Sequence, residues 1–152
     1  RMVFLSAYWV HHSYKESDDL LLLTLSKISN EHPSVEFYVL GGLPIWFPSL
    51  PETMLKADNL LNGQETYIEN QLFKKIAQRD EVIKTMILDL NNKNIKFISL
   101  LDLLCEGNHC LTQAAHPNIE PTAFDYGHLT RSGSIEVSSR IFNVINHSAN
   151  KN

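Results

Sequence analysis

Three short apolar runs alternate with segments of helical periodicity, and this alternation most narrows the fold. "MVFLSA" (2–7), "VEFYVLGG" (35–42) and "IKFISL" (95–100) have strand length. Continuous apolar character of this kind suits parallel strands covered on both faces. Between the first two lies "SDDLLLLTLSKISNE" (17–31), which opens on Ser17 and two aspartates and is followed by Pro33. An N-cap, acids where the helix dipole favours them, and a closing proline predict a helix. From Gln64 to about Asn91, Ile68, Leu72, Ile76, Ile83, Ile87 and Leu90 recur at three- and four-residue spacing, with a break near Gln78–Glu81. A last helix is expected from Arg131 to about Asn146, with Val137, Ile141, Val144 and Ile145 as its apolar stripe.

Strand, helix, strand, helix, strand, helix predicts an α/β domain with a parallel sheet. Three strands are few for such a sheet, and the chain opens on a core strand at Arg1 rather than on Met. The expectation is one domain over residues 1–152, shortened at its N-terminus, with its first strand upstream. "LPIWFPSLPETM" (43–54) holds three prolines and reads as irregular. A loop directly after a buried strand is where α/β proteins place ligand contacts. Trp46 and Phe47 sit there between prolines, and Trp9 ends the first strand region. These aromatic faces suit stacking on sugars or acyl groups, which makes Trp9 and Trp46 candidate substrate-binding residues.

Composition sets the outer limits. Hydrophobic residues make up 43% and charged residues 20% of the 152, ordinary for a chain with a real core. A net charge of −4 without a basic stripe argues against a nucleic-acid partner. No apolar run approaches the roughly 20 residues of a membrane span.

Cys105 and Cys110 lie five apart in "LCEGNHC", with the turn-forming Gly107 and Asn108 between them. Proximity and the turn favour a disulfide over two free thiols, and hence an oxidising compartment. A zinc site from Cys105, Cys110 and His109 has poor chelate geometry, because positions 109 and 110 are adjacent. His11 and His12 are adjacent as well, and His116 lies in irregular chain. No metal and no cofactor is expected.

"FDYGHLTRSG" (124–133) poses the functional question. Asp125 and His128 stand three apart, close enough to meet across a tight turn that Gly127 eases. An acid that orients a histidine, which in turn takes a proton from a nucleophile, is hydrolase chemistry. On spacing alone the plainer reading is a polar turn capped by Asp125.

The stretch resembles the last motif of the SGNH hydrolase superfamily: Asp-x-x-His, then Leu, a small hydroxyl residue and Gly at the start of the final helix. More narrowly, the chain resembles the SGNH domain fused behind integral-membrane acyltransferases that O-acetylate bacterial surface polysaccharides, the O-antigen acetylase type. "FLSAYW" (4–9), "LGGLPIWFPSLP" (40–51) and "FISLLDLLCEGNHC" (97–110) carry the likeness in order, from Met2 to about Ile145. The resemblance implies a three-layer, flavodoxin-like parallel sheet with helices on both faces. It implies an acyl donor and a glycan acceptor as partners, a membrane acyltransferase domain in the same parent chain, and a place on the periplasmic side of the inner membrane. It makes Asp125 and His128 catalytic. The family's Gly-Asp-Ser nucleophile motif is absent, as is G-x-S-x-G, and "RSGS" (131–134) lies too close to His128 to replace it. Tyr8 and Trp9 stand where the superfamily has an oxyanion-hole Asn. The expected function is acetyl transfer to a sugar hydroxyl through a Ser-His-Asp site completed from outside this chain. The rivals are a non-catalytic glycan-binding module and a stand-alone carbohydrate esterase.

Overall fold

The computed structural model describes residues 1–10, 15–61, 67–114 and 120–149. The elements follow in the order β1 (Met2–Leu5), α1 (Lys15–Glu31), β2 (Glu36–Leu40), α2 (Leu50–Leu61), β3 (Tyr67–Glu69), α3 (Phe73–Asp89), β4 (Ile95–Ile98), α4 (Leu100–Leu104), β5 (Cys105–Glu106), β6 (His109–Leu111), β7 (Gln113–Ala114), β8 (Glu120–Pro121) and α5 (Arg131–Ala149). They fall into two compact units, one of Arg1–Gly42 with Lys74–Leu100, the other of Leu43–Phe73 with Leu101–Asn152.

The first unit holds the expected parallel sheet, in the order β1-β2-β4. Val3 stands beside Phe37, and Phe37 beside Ile95. The two-residue period of β2 sends Phe37 and Val39 into a cluster with Leu25 of α1, Ile83 and Ile87 of α3, Ile95 and Trp9. Tyr38 points the other way, with the Phe4 ring stacked on it at 5.4 Å. β1 is an edge strand, and its Met2, Val3 and Phe4 remain exposed.

The break expected near Gln78–Glu81 does not exist, because α3 runs through it. The apolar pattern lapses there because polar side chains face inward. Arg79, 8% exposed, pairs with Asp18 of α1, and its Nε donates to the Trp9 carbonyl at 3.2 Å. Asp80, 4% exposed, accepts the Gly42 N–H at 2.8 Å. A Cβ on Gly41 would lie 2.4 Å from Asp80 Oδ2, so the end of β2 needs a glycine.

Two further expectations change in the second unit. Residues 67–69 form a strand, not the start of a helix, and Ile68 pairs with Cys110 of β6. Asn70 ends that strand: its Oδ1 accepts the Leu72 N–H at 3.0 Å, and α3 starts only at Phe73. Gln64–Thr66, the first residues assigned to that helix, lie outside the described residues. The loop after β2 is irregular only to Ser49, and α2 starts at Leu50. Ser49 caps α2, its hydroxyl accepting the Glu52 N–H and donating to the Glu52 carboxylate, both at 3.3 Å, and Pro51 lies in the first turn, where its missing N–H costs nothing.

The rest of this unit is a small antiparallel sheet in the order β3-β6-β5, the β7–β8 pair and α5. Trp46, Leu50, Cys110 and Ala123 form its core. Val137 and Ile141 of α5 are buried, whereas Val144 is exposed, so the apolar stripe of α5 is shorter than its sequence pattern.

Candidate active site

The stretch after β8 forms a closed turn. The Phe124 N–H donates to the His128 carbonyl at 3.0 Å, and Ala123 bridges Leu129. Asp125 Oδ1 accepts the N–H groups of Gly127 and His128 at 2.9 and 2.8 Å. Its other oxygen, Oδ2, meets His128 Nδ1 at 2.7 Å. Asp125 is therefore the cap of a polar turn and the partner of a histidine at once.

The electrostatics follow from these bonds. The Gly127 N–H, then the His128 N–H and the His128 ring stabilise the charged carboxylate, and they hold the Asp125 pKa down to about 2. An ionised carboxylate can only accept, so Nδ1 must donate. In the neutral ring the lone pair then sits on Nε2, the tautomer a general base needs. The His128 side chain is 62% exposed. Phe124 stacks on its ring at 5.8 Å, and Tyr126 meets it edge-on at 5.3 Å. The sequence displayed these aromatics in "FDYGH", but a one-dimensional pattern does not say which way two rings in a turn point.

The turn is anchored on both sides. Trp46 N–H donates to the Tyr126 carbonyl at 2.7 Å, and Leu50 N–H to the Asp125 carbonyl at 3.0 Å. Downstream, Thr130 caps α5: its hydroxyl accepts the Gly133 N–H at 3.0 Å and donates to the Pro121 carbonyl at 2.7 Å. Glu120 accepts the Ser132 N–H at 2.8 Å, and its bonds to Ser132 lower its pKa.

Cys105 and Cys110 face each other across the β5–β6 hairpin and are bonded, with 4.0 Å between their Cα atoms. Gly107 takes a φ of 61° at the first central position of the turn, as a type II′ hairpin requires. Trp46, 3% exposed, lies in the core of the second unit and lines a groove there. Trp9, 8% exposed, belongs to the core of the first unit, with its indole N–H donated to the Leu40 carbonyl at 2.7 Å. His11, His12 and His116 lie outside the described residues. Among the described residues no group of three or more His, Cys, Asp or Glu is placed to hold a metal ion. None of their helices is long and apolar enough to cross a membrane.

A family model described as the SGNH domain fused to AT3 domains matches residues 1–142. The chain belongs to that family. The family the sequence resembles is thus the one it is in, and the α/β fold with a parallel sheet is the class expected. The SGNH domain is similar to the periplasmic domain of a lipopolysaccharide acetyltransferase from Salmonella ser. Paratyphi A. The identity is 26% and the TM-score 0.75, over 95% of this chain and 56% of that one. It is also similar in fold to a Streptococcus pneumonia protein described as a platelet activating factor, at 13% identity and a TM-score of 0.62, over 94% of this chain and 58% of that one. The SGNH domain thus spans a little over half the length of each neighbour. No curated protein matches it.

Proposed function

We propose that this SGNH domain moves an acetyl group onto a sugar hydroxyl of lipopolysaccharide O-antigen or a related envelope glycan. The observation that carries the reading is the 2.7 Å bond from His128 Nδ1 to a carboxylate held ionised by its own turn. In the first half-reaction a serine Oγ–H gives its proton to His128 Nε2 and Oγ attacks the acyl carbon. The donor's leaving group departs with that proton. In the second half-reaction a sugar hydroxyl gives its proton to Nε2 and attacks the acyl-serine. The serine oxygen leaves and takes the proton back. Asp125 stabilises the imidazolium in both halves. No metal or cofactor has a step in this scheme.

The serine belongs to the family's Gly-Asp-Ser motif, which this sequence lacks. We place it upstream, on a further strand of the same single SGNH domain. The exposed apolar edge at Met2, Val3 and Phe4 of β1 supports a strand pairing there. Cys105–Cys110 as a disulfide supports the periplasmic side of the inner membrane. The acyl group would come from an integral-membrane acyltransferase domain of the same parent chain, as fusion to AT3 domains in the family suggests. We assign substrate contact to Trp46 and its neighbour Phe47, and to Trp9, in the core of the first unit, a supporting part in packing.

The test is labelling of the whole natural protein with a fluorophosphonate, followed by mapping of the modified residue by mass spectrometry. One serine should be modified, and the label should be lost in His128→Ala. Absence of His128-dependent labelling would contradict a serine acyl-enzyme and favour a glycan-binding module.

A further inference from the structure

A groove of about 350 Å³ opens in the second unit between the 43–49 loop, α2, β3 and the β5–β6 hairpin. That volume lies at the low end of the range for small-ligand sites. Its floor is apolar, from Ile45, Trp46 and Ile68. Lys56, Glu69, Gln71 and His109 line it as well, all four exposed side chains. Beside them stands Phe47, an aromatic ring that is 75% exposed. Nothing in the acid–histidine turn accounts for this set.

The chemistry of the lining selects a ligand class. Lys56 can only donate hydrogen bonds, a charged Glu69 can only accept them, and Gln71 and His109 can do both. A sugar presents an apolar C–H face for an aromatic ring and an edge of hydroxyls that both donate and accept. An acyl chain would satisfy the floor and strip water from the polar lining without replacing its bonds, which costs free energy. A polyanion would meet Glu69 and a chain of net charge −4.

The groove is also tied to the acid–histidine turn. Trp46 and Leu50, which bracket Phe47, donate their N–H groups to the carbonyls of Tyr126 and Asp125. The loop that carries the exposed ring and the turn that carries His128 are therefore held together by backbone bonds. We propose that this groove is the acceptor subsite, which binds an oligosaccharide with Phe47 as the stacking platform and Lys56 and Gln71 as hydroxyl-binding groups. The assignment rests on the acyl-transfer reading above and names the part of the site that chooses the acceptor.

The experiment is calorimetric titration of the whole natural protein with de-O-acetylated O-polysaccharide fragments from the bacterium that carries it. Phe47→Ala and Lys56→Ala are compared with Leu88→Ala, an exposed position on α3. Phe47 and Lys56 are exposed, so both variants should fold. Phe47→Ala should weaken binding about tenfold or more, with Leu88→Ala unchanged. Wild-type protein that binds no fragment, or a Phe47→Ala protein that binds as tightly, would overturn the subsite whatever the fluorophosphonate result. Binding that depends on Phe47, in a protein without His128-dependent labelling, would uphold the subsite and remove the transfer chemistry.

Discussion

Asp125 uses its two oxygens differently, and that division has a measurable consequence. Oδ1 is held by two backbone N–H groups and Oδ2 by the His128 ring. The resulting pKa, about 2, lies below the ordinary 3.8. A depressed carboxyl contributes stability that is present above its ordinary value and is lost as the pH falls through its folded value. The Asp125 carboxyl carbon should therefore titrate with a midpoint near 2 by NMR. Asp125→Asn should flatten the stability curve between about pH 4 and 2 relative to wild type. A midpoint near 4 would contradict the turn geometry. The Asp-x-x-His spacing was legible in the sequence because three residues are enough to close one turn. Arg79 and Asp80 were not, because a polar pair that serves the interior looks in sequence like a gap in the apolar face.

At the level of elements, α5 shows how one small side chain seats a helix. A Cβ on Gly133 would lie 2.0 Å from the Thr122 carbonyl oxygen, so α5 can approach that backbone only with glycine there. Gly133→Ala should therefore destabilise the fold by about 1–3 kcal/mol in chemical denaturation, by overpacking against a backbone that cannot yield. An unchanged midpoint would show that α5 is seated otherwise. The three parallel strands and the body of α1 were legible because continuous apolar runs, early acids and a closing proline agreed, but Ser17, read as the N-cap, lies inside a helix that includes Lys15. α2 was not read, because three prolines outweighed the Ser49–Glu52 capping pair, although that pair was in view. β3 was misread because Ile68 and Leu72 fit a helix as well as they fit a strand with its turn. The pairing of Ile68 with Cys110 makes it a strand, and the Asn70 side chain closes the turn that follows.

For the molecule as a whole, the sheet of the first unit and the acid–histidine turn of the second belong to one family, matched over residues 1–142. Family and fold class were legible because several weak motifs stand in a fixed order. The acceptor groove was not, since Phe47, Lys56, Gln71 and His109 are brought together only by the pairing of β3 with β6 and by the start of α2. In the proposed acyl transfer, His128 carries the proton. The most direct measurement is the O-acetyl content of the envelope glycan in the bacterium when the natural protein is replaced by its His128→Ala variant. With protein present at wild-type level, acetylation should be abolished. Acetylation retained near the wild-type amount would contradict the assignment of His128.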